Sequence, residues 1–280
     1  MTRPVALDAW ATPLPARRLA DYPAPIRHVM ERYGSGGAFE TGVDVGRMVA
    51  EMDEAGVGQA ILSSFHFEDD WFVTNDAVAE YVRAYPDRFI GACCVDIRHP
   101  MPAMAELRRC VEDLGFRVLR LFPYQYGDRR SAPPPTDRMY WPFYVAAAEY
   151  GIPIAIQVGH TGPLLPSECG RPIYLDEVAL TFPELTLIGT HLGDPWAEEM
   201  MILAWKHPNV YIETSARPAR HWTPQFRKFA ASYGREKVLW GTDYPLLPFG
   251  PSVEDVLALD LPAEALELVL GGNARRILGL

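Results

Sequence analysis

Short apolar runs alternate along the chain with longer stretches in which apolar residues recur every three or four positions. The short runs predict strands at residues 4–10, 59–63, 89–95, 116–121, 154–158, 185–188 and 210–213, and a last one from 238 that ends at Asp243. Helical spacing falls between them, at residues 26–33, 44–55, 75–85, 101–114, 139–150, 175–182, 196–206 and 224–233, with shorter pieces at 253–257 and 263–270. Val45, Met48, Val49 and Met52 share one face of the second helix, and Gly56 suits its C-terminal stop. Strands that alternate with helices imply a parallel sheet with right-handed crossovers. Eight such pairs in 280 residues fit a closed TIM (β/α)8 barrel as a single domain over residues 1–280. A doubly wound sheet is the alternative, but no GxGxxG follows the first strand.

Residues 11–42 are rich in Pro, Arg, Gly and aromatic side chains, and a connection of that length is expected to serve as a lid or a subunit contact. Composition narrows the partners. The formal charge of −10 argues against general nucleic-acid or anionic-membrane binding, while leaving room for a local Arg cluster around a small anionic substrate. Cys93, Cys94, Cys110 and Cys169 show no metal-finger spacing. No apolar run approaches the ~20 residues that span a bilayer. The expectation is a cytoplasmic protein that acts on a small molecule, touches neither nucleic acid nor membrane, and forms a homo-oligomer, dimer or larger.

The strand ends carry the chemistry. Val238-Leu239-Trp240 runs into Gly241-Thr242-Asp243-Tyr244-Pro245, which sets a carboxylate at the C-terminal mouth of the last strand. His160 follows the fifth strand and His191 the sixth in the same manner. Three strand ends bearing His, His and Asp suggest one site. Asp194-Pro195 reads as a helix cap.

The elements Val158-Gly159-His160-Thr161-Gly162, Thr190-His191-Leu192-Gly193, Gly241-Thr242-Asp243-Tyr244-Pro245 and Gly271-Gly272-Asn273-Ala274-Arg275-Arg276 together resemble the amidohydrolase superfamily. The similar branch is the amidohydrolase-related group of aromatic-acid and aminocarboxymuconate-semialdehyde decarboxylases and pyrone-dicarboxylate lactonase. The resemblance runs from the first strand to the last helix. It implies His160 and Asp243 as ligands of a divalent metal, zinc or manganese, with His191 facing substrate or entering the ligand set. The departure lies in Leu7-Asp8-Ala9-Trp10-Ala11-Thr12, where Trp10 and Thr12 stand at the places of the family's His-x-His pair. Indole cannot bind zinc and a Thr hydroxyl is a poor ligand, so the expectation is either no cofactor or one divalent metal held by His160, Asp243 and His191.

The family's lactonase branch, which hydrolyses without a metal, supplies a precedent in which the last-strand Asp is the base. On that pattern we expect hydrolysis of a small cyclic or carboxylated lactone, ester or amide, with Asp243 as base and His160 and His191 polarising the carbonyl. Non-oxidative decarboxylation of an aromatic or unsaturated acid is the alternative, and a catalytically inactive binding barrel a third. Arg117 and Arg120 are candidates to hold a substrate carboxylate, although three residues apart on a strand they face opposite ways. Trp10, His66, Tyr124 and Glu213 complete the expected substrate-binding set: an aromatic wall, a loop imidazole, a further aromatic after strand four, and a carboxylate closing strand seven.

Overall fold

The alternating runs resolve, in a computed structural model that describes residues 4–34, 36–128 and 130–280, into eight parallel strands that neighbour one another in chain order. They are β1 (Ala6–Ala11), β2 (Val57–Ser63), β3 (Phe89–Cys94), β4 (Val118–Leu121), β5 (Ile154–Gln157), β6 (Leu187–Thr190), β7 (Val210–Glu213) and β8 (Val238–Leu239). All are buried along most of their length, as apolar helices on the outside of a parallel sheet require. Backbone bonds close the ring between β1 and the segment after β8. Ala9 N–H donates to Trp240 O at 2.9 Å, Asp243 N–H to Trp10 O at 2.9 Å, and Thr12 N–H to Tyr244 O at 2.8 Å. The Gly-Thr-Asp-Tyr turn is therefore the seam of the barrel as well as its last strand end.

Local chemistry places the crossovers. Asp44 caps the helix Val45–Ala55 by accepting from Arg47 N–H, and Gly56 ends it at φ 73°, a conformation that glycine adopts without strain. Met48 and Met52 on that helix are fully buried against the barrel. Thr74 and Thr223 cap the helices Asn75–Ala84 and Pro224–Ala231 in the same way.

Three features differ from the sequence expectation. Ser64–Phe72, read there as a polar, aromatic stretch, contains an antiparallel hairpin that pairs Phe65–Phe67 with Asp70–Val73. Residues 11–42 hold a second helix, Gly36–Thr41, beyond the expected one at Ala24–Tyr33. The C-terminal helix breaks at a π turn, Leu268–Gly272, and resumes as Asn273–Leu278. Asn273 anchors that last helix under β8, donating from Nδ2 to Arg235 O at 2.7 Å and Val238 O at 2.8 Å. No helix among the described residues is long and apolar enough to cross a membrane.

Candidate active site

A cavity of about 130 Å³ opens at the C-terminal mouth of the barrel, close to the roughly 150 Å³ that accepts a single benzene ring. Strand ends supply its polar lining: Trp10 near the end of β1, Gln157 at the end of β5 and His160 beyond it, His191 after β6, Arg217 after β7 and Asp243 after β8. Tyr124 and Phe122 follow β4. The helix Ala24–Tyr33 covers the opening and contributes Ile26, Val29, Met30 and Tyr33, so the rest of the wall is mostly apolar.

His191 and Asp243 both sit at φ 62°, and Ala216 at φ 57°. A left-handed backbone is uncommon for residues other than glycine, and it turns these side chains back over the strand ends instead of away from them. Asp243 is half-buried with its carboxyl in the cavity. Burial raises its pKa from 3.8 to about 6, against the opposing pull of Arg120, the Trp10 indole and Arg217. The group therefore holds a proton in part of the population near neutrality and can serve as acid or base.

Beneath the cavity lies a polar layer in place of the branched apolar residues that usually fill a barrel. Asp8 Oδ1 accepts from the N–H groups of Trp10 and Thr242, each at 2.9 Å, and its Oδ2 lies 2.5 Å from Thr242 Oγ1. Burial raises the Asp8 pKa to about 7 despite those three hydrogen bonds. Glu213, also pushed up by burial, accepts from Ser215 N–H at 2.5 Å and Ser215 Oγ at 2.7 Å. A Cβ on Gly241 would collide with Glu213 Oε1, so glycine there leaves room for the buried carboxyl group. Arg120 crosses the layer fully buried, its guanidinium packed on the Trp10 ring, with Nε and Nη1 lacking hydrogen-bond partners. Burial pulls its pKa down, yet guanidinium stays protonated in proteins, so the layer keeps one cation among its acids.

Both pocket histidines are committed through their Nε2 atoms. Since Ser215 Oγ–H donates to Glu213, His191 Nδ1–H donates to Ser215 Oγ at 2.9 Å, and its Nε2 faces Arg120 Nη2 at 3.4 Å. Burial, then Arg120 and Arg217, hold the His191 pKa well below the usual 6.5, so its ring is neutral. His160 is exposed at the rim. Its Nδ1 lies 3.1 Å from Thr161 O, and Nε2 accepts from Arg217 Nη2 at 2.6 Å.

The structure gathers Trp10, Tyr124, His160, His191 and Asp243 around one cavity. Four of the residues singled out in the sequence are placed elsewhere. Arg120 and Glu213 lie below the floor and reach the cavity through their charge and through Ser215. Arg117 is a correction: it is exposed, and its Nη2 donates to Leu278 O at 2.7 Å, because it shares the outward parity of Leu119 and Leu121. His66 is another correction. It is buried in the hairpin, stacked on Trp71 with ring centroids 4.7 Å apart, and does not line the cavity. The sequence reading missed Ser215 and Arg217, which follow Glu213 within the strand-end region where the other site residues were sought.

The chain matches the family described as Amidohydrolase over residues 27–280. A 2-keto-4-carboxy-3-hexenedioate hydratase from Sphingobium sp. is 32% identical over 42% of this chain and 39% of its own. A gamma-resorcylate decarboxylase from Polaromonas sp. is 27% identical over 62% of this chain and 63% of its own. The matched stretches thus span less than two thirds of either relative. Among solved structures, an uncharacterised TIM-barrel protein from Bordetella bronchiseptica superposes with a TM-score of 0.82 at 26% identity, covering 98% of both chains. A dihydroxybenzoic acid decarboxylase from Polaromonas sp. JS666, with bound manganese and the inhibitor 2-nitroresorcinol, shares the fold at a TM-score of 0.73 and 18% identity, covering 100% of this chain and 98% of its own.

These relatives overturn the expectation of lactone, ester or amide hydrolysis. They are decarboxylases and a hydratase. The manganese of the solved relative does not carry over to the side chains present here. Trp10 and Thr12 offer no imidazole, the Nε2 lone pairs of His160 and His191 face guanidinium groups, and the described residues include no cluster of three His, Cys, Asp or Glu placed to hold an ion. The ligand set His160, Asp243 and His191 expected for a bound metal is therefore not formed. The barrel, its strand-end site and the family match over residues 27–280 agree on one assignment: the chain belongs to the amidohydrolase family.

Proposed function

We propose that the chain is a lyase that removes CO2, without oxidation, from a small aromatic or unsaturated carboxylic acid. The observation that carries this reading is the Asp243 carboxyl, raised to about 6 by burial and directed into a ring-sized, largely apolar cavity. Loss of CO2 from such an acid requires a proton on the carbon that bears the carboxylate. Asp243 in its acid form donates that proton, using a π electron pair of the substrate. The C–C bond then breaks, its electron pair restores the π system, and CO2 departs. Asp243 is left as the carboxylate and regains a proton from water.

The surroundings support the same step. The buried charge of Arg120, two of whose nitrogens lack partners, and the guanidinium of Arg217 favour entry of an anion into an otherwise apolar space. The neutral His191 ring, fixed by Ser215, forms part of the cavity wall without adding positive charge. The apolar residues above it suit an uncharged product.

The test is release of CO2 from a panel of hydroxybenzoic and unsaturated acids in D2O, with NMR of the product. One deuterium at the vacated carbon, with activity lowered by at least about 100-fold in Asp243→Asn, is the expected result. The hydratase among the relatives favours a second reading, addition of water across a conjugated double bond. Loss of substrate absorbance with no CO2 released would replace the first reading with that one.

A further inference from the structure

Outside the inner cavity lies a second, wider basin of about 890 Å³, continuous with it through Val29, Tyr33, His160 and Arg217. Its walls come from the outer face of the helix Ala24–Tyr33 and from the loop of residues 161–167. The charged and titratable side chains that line it are His28, Arg32, Tyr33, His160 and Arg217, with no Asp or Glu among its lining residues. In a chain of formal charge −10 this is a local reversal of sign beside the cavity that holds Asp243.

The free donors here belong to side chains. Thr161 N–H is bonded to Ser167 Oγ and Leu165 N–H to Pro163 O, so those loop amides are spent internally and form no phosphate cradle. Arg217 is partly neutralised by Asp194 Oδ2 at 3.2 Å from its Nε, and it bonds Tyr33 Oη and His160 Nε2 through its terminal nitrogens. Each terminal nitrogen keeps a second N–H. Arg32 is exposed and has no ion-pair partner among the described residues.

We infer that this basin is a subsite for a second carboxylate, so that the substrate is a dicarboxylic acid whose reacting carboxylate lies by Asp243 and whose other carboxylate is held by Arg32 and Arg217. The inference rests on the decarboxylase reading only for the position of the reacting group. It narrows the substrate class, because the inner cavity alone would accept a monocarboxylic acid equally well. A cationic funnel also focuses dianions more strongly than monoanions, an advantage that salt screens.

Benzoate and isophthalate (benzene-1,3-dicarboxylate) are suitable probes, titrated by calorimetry against the wild-type chain, Arg32→Gln and Arg32→Lys. Isophthalate is expected to bind on the order of tenfold tighter than benzoate at low salt, with the gap closing at high salt. Arg32→Gln removes most of that gap and leaves benzoate affinity unchanged, and Arg32→Lys restores part of it. Equal affinities, no binding of either probe, or equal losses for both anions in Arg32→Gln would overturn the assignment. Selective isophthalate binding by a protein that releases CO2 from no acid would leave the subsite standing and remove the decarboxylase reading. Turnover of monocarboxylic acids with no dianion preference would do the reverse.

Discussion

Asp8 offers the cleanest measure of the polar layer, because it is wholly buried and outside the cavity lining. Its pKa rises from 3.8 to about 7 in the fold, chiefly through burial and with a small contribution from Asp243. The native state therefore holds the Asp8 proton more tightly than the unfolded chain does. Stability from this group is fully present below about pH 4 and is lost as pH rises through about 7. A difference of about 3 pH units at 1.36 kcal/mol each gives a loss of about 4 kcal/mol.

Asp8→Asn removes the ionisation and keeps the contacts. The amide oxygen can accept from Trp10 and Thr242 N–H as Asp8 Oδ1 does, and the amide NH2 can donate to Thr242 Oγ1. Urea unfolding of both proteins, followed by fluorescence from about pH 4 to about pH 8, isolates the Asp8 contribution, because the other acids titrate in both. The variant should gain on the wild type by about 4 kcal/mol across that window, with most of the change between about pH 4 and about pH 7. Stability curves that stay parallel within about 1 kcal/mol would mean that Asp8 ionises normally in the fold and that the layer is better solvated than its burial implies.

Three further outcomes follow from the site. Arg120→Met should move the alkaline limb of the activity–pH profile, along which Asp243 loses the proton it donates, above about 6, since Arg120 is the main group that lowers the Asp243 pKa; an unshifted limb would separate the two residues. Ser215→Ala should lower kcat by about 10- to 100-fold and destabilise the fold by about 1–3 kcal/mol, because it strips Glu213 of its Oγ donor and leaves His191 Nδ1 only the longer contact to Ser215 O at 3.2 Å. Imidazole 15N shifts check it: the His191 Nδ1 resonance should move as its hydrogen bond passes to Ser215 O alone, whereas a Ser215 side chain that does not bond the ring would leave it in place. Arg117→Ala should leave activity unchanged and reduce stability by about 1 kcal/mol, as expected for one part-exposed hydrogen bond to Leu278 O; a loss of turnover would restore Arg117 to the site.

Much of the fold was legible because its signals are long and repeated. Eight apolar runs separated by helical periods leave few topologies other than the barrel. The hairpin at Phe65–Phe67 and Asp70–Val73 was not legible, because strands of three and four residues are too short for a period-2 pattern to stand out. The break at Leu268–Gly272 was hidden for a related reason: a π turn keeps the apolar spacing of a helix while changing its direction. Strand parity alone showed that Arg117 and Arg120 could not both face inward. Choosing between them needed the register, which pairs Arg120 with Cys94 on the neighbouring strand.

The site divides along the same line. Asp243, His160 and His191 were readable as strand-end residues, and the structure brings all three to one cavity. What their side chains do there depends on turns that sequence spacing does not encode. The backbone after β7 folds back at Ala216, φ 57°, which brings Ser215 under His191 and Arg217 against His160. Each imidazole then spends its Nδ1 proton on a neighbouring oxygen and presents Nε2 to a guanidinium. Trp10 and Thr12 gave one half of this in the sequence, as a departure at the family's metal-binding strand. Arg120 and Arg217 give the other half: the lone pairs that would turn toward a cation in such a site already face positive charge.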